Sequence, residues 1–189
     1  MHWQDYVGEI MLSPDTLQER IAALGKQIST DYAGQELLLV CVLKGGVMFL
    51  TDLMRQITIP HSIDFMAISS YGVGVRESSG IVRILMDLGT NIKDRNVLIV
   101  EDIIDTGHTL QYILRLLQAR SPTSLRVCCL LDKPSRRKVP IEVDYVGFSI
   151  PDKYVFGYGL DLDELYRELP LVATLKPELY SQFTDQGEE

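Results

Sequence analysis

Apolar residues along the chain fall into two periods, one helical and one extended. Leu17, Ile21, Leu24 and Ile28 recur at helical spacing behind Ser13-Pro14, where serine caps a helix and proline fits its first turn; Gly34 lies beyond the end. Residues 37–43 form an unbroken apolar run with two valines, the pattern of a strand covered on both faces. Lys44-Gly45-Gly46 breaks that run, and Leu50, Leu53, Met54 and Ile57 then mark a second helix that stops before Pro60. Residues 63–70 and 81–87 read as strands, separated by a polar, glycine-rich stretch whose length suits a functional lid or a hairpin tip. Residues 97–100 make another buried strand. Leu110, Ile113, Leu114 and Leu117 lie on one face of a helix that starts near Thr109 and ends near Ser121-Pro122. Residues 125–131 and 143–150 read as two more strands, and from Asp161 the pattern is mixed, with an acidic tail at 185–189.

This alternation predicts an α/β fold, a mostly parallel central sheet flanked by helices on both faces. Ligands of such sheets collect at the carboxyl ends of strands. Two places qualify: Lys44-Gly45-Gly46 after one central strand, and residues 101–109 after another.

Composition narrows the function. A chain of 189 residues that is 46% hydrophobic fits one domain with a substantial core, assigned here to residues 1–189. A net charge of −8 excludes a broad basic face for nucleic acid, so no nucleic-acid partner is expected. A small anion would need local devices instead: backbone N–H groups, helix N-termini, a few cations or a divalent metal. The apolar runs fall well short of the roughly 20 residues of a membrane helix, and Met1-His2-Trp3-Gln4-Asp5 lacks a basic start followed by an apolar stretch. The expectation is a cytoplasmic protein without membrane contact. Cys41, Cys128 and Cys129 each lie in a strand-like run without metal-ligand spacing and read as buried hydrophobes.

The segment after residues 97–100 carries the chemistry. Glu101 and Asp102 place two carboxylates where the backbone is expected to leave the sheet, and Asp105-Thr106-Gly107-His108-Thr109 is a turn opening directly into a helix. The N–H groups of that helix start, with the Thr106 and Thr109 hydroxyls, can cradle a phosphate, and Gly107 permits close backbone approach. Carboxylates beside a phosphate repel it unless they bind something else, such as ribose hydroxyls or hydrated Mg²⁺. The constellation points to a ribose phosphate.

An apolar strand followed by Glu101-Asp102, two apolar residues, Asp105-Thr106-Gly107 and Thr109 closely resembles the phosphoribosyl-diphosphate motif of the type I phosphoribosyltransferases. Further matches resemble the hypoxanthine-guanine branch of that family. They are Leu43-Lys44-Gly45-Gly46 with its pyrophosphate loop, Ser70-Tyr71 with the start of its mobile catalytic loop, Leu131-Asp132-Lys133 with its base-recognition strand end, and residues 146–161 with its hood.

The resemblance implies a hood built from parts of the N-terminal arm and about 133–170, and a mobile loop. It implies salvage of hypoxanthine or guanine by transfer of the phosphoribosyl group from phosphoribosyl diphosphate, with Mg²⁺, in a homodimer or homotetramer. Glu101 and Asp102 would engage the ribose hydroxyls, partly through Mg²⁺, and Thr106, Gly107, His108 and Thr109 would hold the 5′-phosphate. Asp105 would be the general base at N7 of the purine. Lys44 and Gly45 would bind pyrophosphate through backbone N–H groups, across a Leu43–Lys44 peptide that is often cis in the family. Lys133 would donate to the 6-oxo group, Tyr154 would stack on the base, and Val155 would offer backbone contacts. Asp161 would help hold a second Mg²⁺, and Arg167 would contact pyrophosphate. His108 departs from relatives that carry lysine there, which leaves phosphate binding more to the backbone. The rival readings are a xanthine- or pyrimidine-preferring relative, a phosphoribosyl-diphosphate-sensing regulator without catalysis, and an unrelated mononucleotide-binding protein.

Overall fold

The computed structural model describes residues 2–70 and 82–184. In chain order its elements are β1 (Val7–Leu12), α1 (Pro14–Asp31), β2 (Leu37–Leu43), α2 (Val47–Gln56), β3 (His61–Ser70), β4 (Val82–Met86), β5 (Asn96–Ile104), α3 (His108–Gln118), β6 (Ser124–Asp132), β7 (Tyr145–Ser149), β8 (Val155–Phe156), β9 (Val172–Leu175) and α4 (Tyr180–Thr184). Among the described residues no helix is long and apolar enough to cross a membrane.

Six strands form the main sheet in the order β4-β3-β2-β5-β6-β7, parallel except for β4 at one edge. Strand β2 sits near the middle, bonded to β3 on one side and β5 on the other, and six of its seven residues are buried. Its alternate residues enter different cores. Leu37, Leu39 and Cys41 pack with α1 and α2, whereas Leu38, Val40 and Val42 pack with α3. Strand β6 does the same, so Cys128 and Cys129 face opposite layers, both free and buried.

Connectivity fixes where a ligand can enter. The chain leaves β2 through α2 toward β3, and leaves β5 through α3 toward β6, in opposite directions along the sheet. With the usual right-handed crossovers, helices wound in opposite directions lie on opposite faces, as α2 and α3 do. The adjacent carboxyl ends of β2 and β5 therefore open a crevice between diverging connections, the switch point of an open α/β sheet.

A second sheet, antiparallel and three-stranded, has the order β1-β9-β8. It has its own core of Phe156, Leu162, Leu169, Leu171, Ala173 and Leu175, with Trp3, Tyr6 and Tyr154 packed against it. The apolar pattern did not announce β1, β8 or β9. Strand β1 pairs with register shifts on both sides of Ile10, β8 has two residues, and β9 has four, all buried. Strand β1 has three successive exposed residues in place of an alternation, and β8 and β9 are too short to display a period.

Candidate active site

A cavity of about 780 Å³ opens at the crevice between the ends of β2 and β5. From β2 come Leu43, Lys44 and Gly45, joined by a cis peptide between Leu43 and Lys44. From β5 and its turn come Glu101 through Gly107, together with Thr109. The third wall is formed by Tyr154, Asp161, Glu164 and Arg167. Lys44, Gly45, Glu101, Asp102, Asp105, Thr106, Gly107, Thr109, Tyr154, Asp161 and Arg167 thus converge from three parts of the chain. His108, Lys133 and Val155 are not among the lining residues: His108 begins α3, Lys133 follows β6, and the Val155 side chain is buried in the core. Ser70 ends β3, where it pairs with Val82, and Tyr71 lies outside the described residues.

One local expectation is corrected. The backbone does not leave the sheet at Glu101, because β5 continues through Ile104, with Glu101 paired to Cys129 and Ile104 to Asp132. The extended pairing places Glu101 inside the fold, only 7% exposed, rather than on a loop. Asp102 approaches the pyrophosphate-loop candidate so closely that a Cβ on Gly45 would lie 1.6 Å from its Oδ2. Only glycine fits at that position while Asp102 stays where it is.

Burial raises Glu101 well above the usual carboxylate range, with the Asp102 charge adding to the effect. Asp102 is itself pushed up to about 6, first by burial, against the backbone N–H of Ile103, which donates to its Oδ1 at 2.6 Å. A carboxyl whose folded pKa exceeds its unfolded value weakens the fold as pH rises through that window, since the folded form must surrender a more tightly held proton. A bound cation would remove that cost. Among the described residues, Glu101, Asp102, Asp105, Asp161 and Glu164 line the cavity against two cations, Lys44 and Arg167. Such a field disfavours a polyanionic ligand, and a divalent cation would offset it. Among the described residues no three His, Cys, Asp or Glu side chains form a metal cage. Mg²⁺ does not need one, since it keeps several waters and takes one or two carboxylates plus ligand oxygens. The donor set fits that ion.

The turn at 105–109 leads directly into a helix N-terminus, an arrangement that can receive an anion. Gly107 precedes α3 with φ +89°, a left-handed conformation that favours glycine, and α3 begins at His108 with its first N–H groups free of intrahelical partners. The segment 137–141 backs this turn. The Lys138 N–H donates to the Thr106 carbonyl at 3.0 Å, and Ile141, Val139 and Arg137 crowd Gly107. Arg137 is in turn paired with Asp132 at the end of β6.

Two residues that the sequence reading did not single out hold the candidate site residues. Arg136 donates through Nε to Asp105 Oδ1 at 2.9 Å, with Asp105 42% exposed, and lies 3.7 Å from Asp152. Glu164 accepts from Lys44 at 2.6 Å and from Arg167 at 3.3 Å. Signals existed for both. Arg136-Arg137-Lys138 is a run of three basic residues in an acidic chain, and Glu164 stands midway between Asp161 and Arg167. Lys133 is only 7% exposed, and its Nζ donates to the Lys153 carbonyl at 2.7 Å and lies 3.8 Å from Asp152. It is therefore a buried cation next to Tyr154, not a surface lysine.

Comparison with known proteins agrees with this geometry. The model of the phosphoribosyl transferase domain matches residues 13–165. A hypoxanthine-guanine phosphoribosyltransferase of Mycobacterium avium is 50% identical over 182 residues, covering 93% of this chain and 89% of the relative. One from Staphylococcus aureus is 51% identical over 173 residues, covering 92% and 96%. The crystal structure of a hypoxanthine phosphoribosyltransferase from Staphylococcus aureus superposes with a TM-score of 0.90 at 50% identity, covering 95% of this chain and 97% of that one. With a matching family model over most of its length, relatives at half identity and a cavity at the expected strand ends, this chain belongs to the phosphoribosyltransferase family, in its hypoxanthine-guanine branch.

Proposed function

We propose that the protein transfers the 5-phosphoribosyl group of phosphoribosyl diphosphate to N9 of hypoxanthine or guanine, releasing pyrophosphate, as a purine-salvage enzyme of the cytoplasm. The observation that carries this reading is the convergence of the turn 105–109, the buried Glu101 beside the half-buried Asp102, and the Lys44-Gly45 loop on one cavity at the sheet switch point. Such a cavity accommodates a ribose with a phosphate at each end.

The 5′-phosphate rests on the N–H groups of Thr106, Gly107, His108 and Thr109, where the helix dipole favours negative charge. Glu101 and Asp102 face the ribose hydroxyls, and Asp161 lies across the cavity from them. Mg²⁺, held through water by these carboxylates, would neutralise charge on the departing pyrophosphate. Backbone N–H groups of Lys44 and Gly45 and the guanidinium of Arg167 receive that leaving group. As N9 forms its bond to the anomeric carbon and the bond to pyrophosphate breaks, Asp105 takes the proton from N7. Asp105 must first exchange Arg136 for the purine. The small second sheet and residues 154–167 act as a hood over the reactants, and the loop that begins at Ser70-Tyr71 excludes the water that would capture a cationic transition state. A homodimer or homotetramer completes this proposal, and exposed apolar residues such as Met48, Leu85 and Met86 supply surface for subunit contact.

Specificity for a 6-oxopurine rests on Lys133. Its ammonium donates to a carbonyl and would confront the 6-amino group of adenine with another donor. Replacing Lys133 by alanine is expected to raise KM for hypoxanthine by about 10-fold or more, as loss of a charged hydrogen bond does, with KM for phosphoribosyl diphosphate changed much less. Steady-state kinetics with each substrate varied in turn checks this. An equal rise in both constants would remove Lys133 as the reader of the oxo group.

A further inference from the structure

The two cations that line the cavity among the described residues, Lys44 and Arg167, are already paired. Glu164 Oε2 accepts from Lys44 Nζ at 2.6 Å and from Arg167 Nη2 at 3.3 Å, so one carboxylate oxygen bridges both. Arg167 Nη2 also lies 2.9 Å from Asp161, and its Nη1 donates to the Gly159 carbonyl at 2.9 Å. A bridging oxygen between a lysine and an arginine is the contact a phosphate oxygen would make there.

The backbone is set to keep it in place. Glu164 has φ +64° and Asp163 φ +53°, left-handed values uncommon for side-chain-bearing residues, and the Glu164 N–H donates to Asp161 Oδ2 at 2.9 Å. Lys44 lies 120 residues away in the chain, so this bridge ties the β2 loop to the opposite wall. The pair is also weak enough to open, since the Lys44 and Glu164 side chains are 67% and 65% exposed. Lys44 and then Arg167 hold the Glu164 carboxyl below its ordinary range, so it is ionised at neutral pH.

We propose that Glu164 is an internal occupant of the diphosphate seat: its carboxylate holds Lys44 and Arg167 until the diphosphate displaces it, and so sets the affinity of the site for that substrate. This rests on the reading of the cavity as a phosphoribosyl-diphosphate site. A single carboxylate competes poorly with a metal-bound diphosphate, which offers several oxygens at once, but effectively with a lone phosphate. Glu164 therefore keeps the cations positioned and screens them from simpler anions.

The test compares wild type, Glu164→Gln and Asp163→Asn. Asp163 is the adjacent exposed carboxylate and is not a hydrogen-bond or ion-pair partner of either cation. Titration calorimetry with inorganic pyrophosphate and Mg²⁺ should show about three- to ten-fold tighter binding by Glu164→Gln, the scale of losing one or two exposed ion pairs. KM for phosphoribosyl diphosphate should fall in parallel, KM for hypoxanthine should stay constant, and Asp163→Asn should change each by less than about two-fold. A purely structural role predicts weaker binding, the opposite sign. Unchanged or weaker binding by Glu164→Gln would overturn the proposal, as would an equal gain in Asp163→Asn, which would reduce the effect to net charge. If wild-type protein binds no pyrophosphate with Mg²⁺ while Glu164→Gln does not either, the reading of the cavity itself falls.

Discussion

Replacing Asp105 by asparagine should lower turnover by about 10²- to 10⁴-fold, the usual contribution of a positioned general base, while phosphoribosyl diphosphate still binds. The substitution separates the contact this carboxylate makes from the base role proposed for it. Its Oδ1 accepts from Arg136 Nε at 2.9 Å, and an asparagine oxygen can accept there too, so the turn leading into α3 keeps its anchor. An amide cannot take a proton from N7 of the purine. The loss should therefore fall on kcat, with the dissociation constant of phosphoribosyl diphosphate within a few-fold of wild type. Presteady-state kinetics beside equilibrium titration would separate the terms. Unaltered turnover would take the base role from Asp105, and equal losses in binding and turnover would make it a structural residue of the phosphate turn.

The second large effect concerns Gly159, which has no side chain to take part in the chemistry. Its φ is +99°, and a Cβ there would lie 2.0 Å from the carbonyl oxygen of Gly45. Both facts act in one direction. Alanine at such a φ is strained, and backbone, unlike a flexible side chain, cannot step aside. Gly159 also donates its N–H to the Arg167 carbonyl at 2.8 Å and accepts from Arg167 Nη1. The position thus joins the pyrophosphate loop to the wall that carries Asp161 and Arg167. Gly159→Ala should cost about 2–4 kcal/mol of stability, a fall in Tm of about 5–15 °C for a domain of this size. Its kcat/KM for phosphoribosyl diphosphate should drop more than 10-fold, because a 1 Å displacement of binding groups is costly. A variant with wild-type Tm and kcat/KM would show that the contact between Gly45 and Gly159 does not position the site.

How much of this was legible in the sequence follows from what each element displays. The sheet of β2, β5 and β6 was plain because strands buried on both faces must be apolar throughout, and Leu37–Leu43 is. Helices α1 and α3 showed their apolar stripes at the residues that are buried. The turn before α3 was legible because glycine at positive φ followed by a helix start leaves a local signature at Gly107-His108. Strand β5 was read too short. Glu101 and Asp102 look like the end of a strand, yet the ladder to β6 continues beneath them to Ile104. Polar residues inside a sheet contradict the apolar rule, and at a functional site that contradiction is expected.

The second sheet was hidden for another reason. Strand β1 comes from the opposite end of the chain from its partner β9, and β8 and β9 have only two and four residues. Burial in tertiary context, not local pattern, makes them strands. The same holds for residues 157–166, where Tyr158, Asp163, Glu164 and Tyr166 adopt positive φ. Gly157 and Gly159, both at positive φ, mark turns in that run, but nothing local says that the reversals bring Glu164 onto Lys44. Arg136 and Glu164 were missed because the basic run 136–138 and the place of Glu164 between Asp161 and Arg167 do not say which distant residues, Asp105 and Lys44, they meet.

The most direct test of the assigned activity is a base panel. Purified protein with phosphoribosyl diphosphate and Mg²⁺ would be given hypoxanthine, guanine, xanthine, adenine and uracil separately, with nucleotide and pyrophosphate quantified together. Hypoxanthine and guanine should each yield nucleotide and pyrophosphate in equal amounts, adenine and uracil should yield none, and a chelator should stop the reaction. Binding of phosphoribosyl diphosphate without turnover of any base would contradict the enzymatic assignment and leave a sensor of that ligand; faster turnover of xanthine than of either would contradict the assigned base.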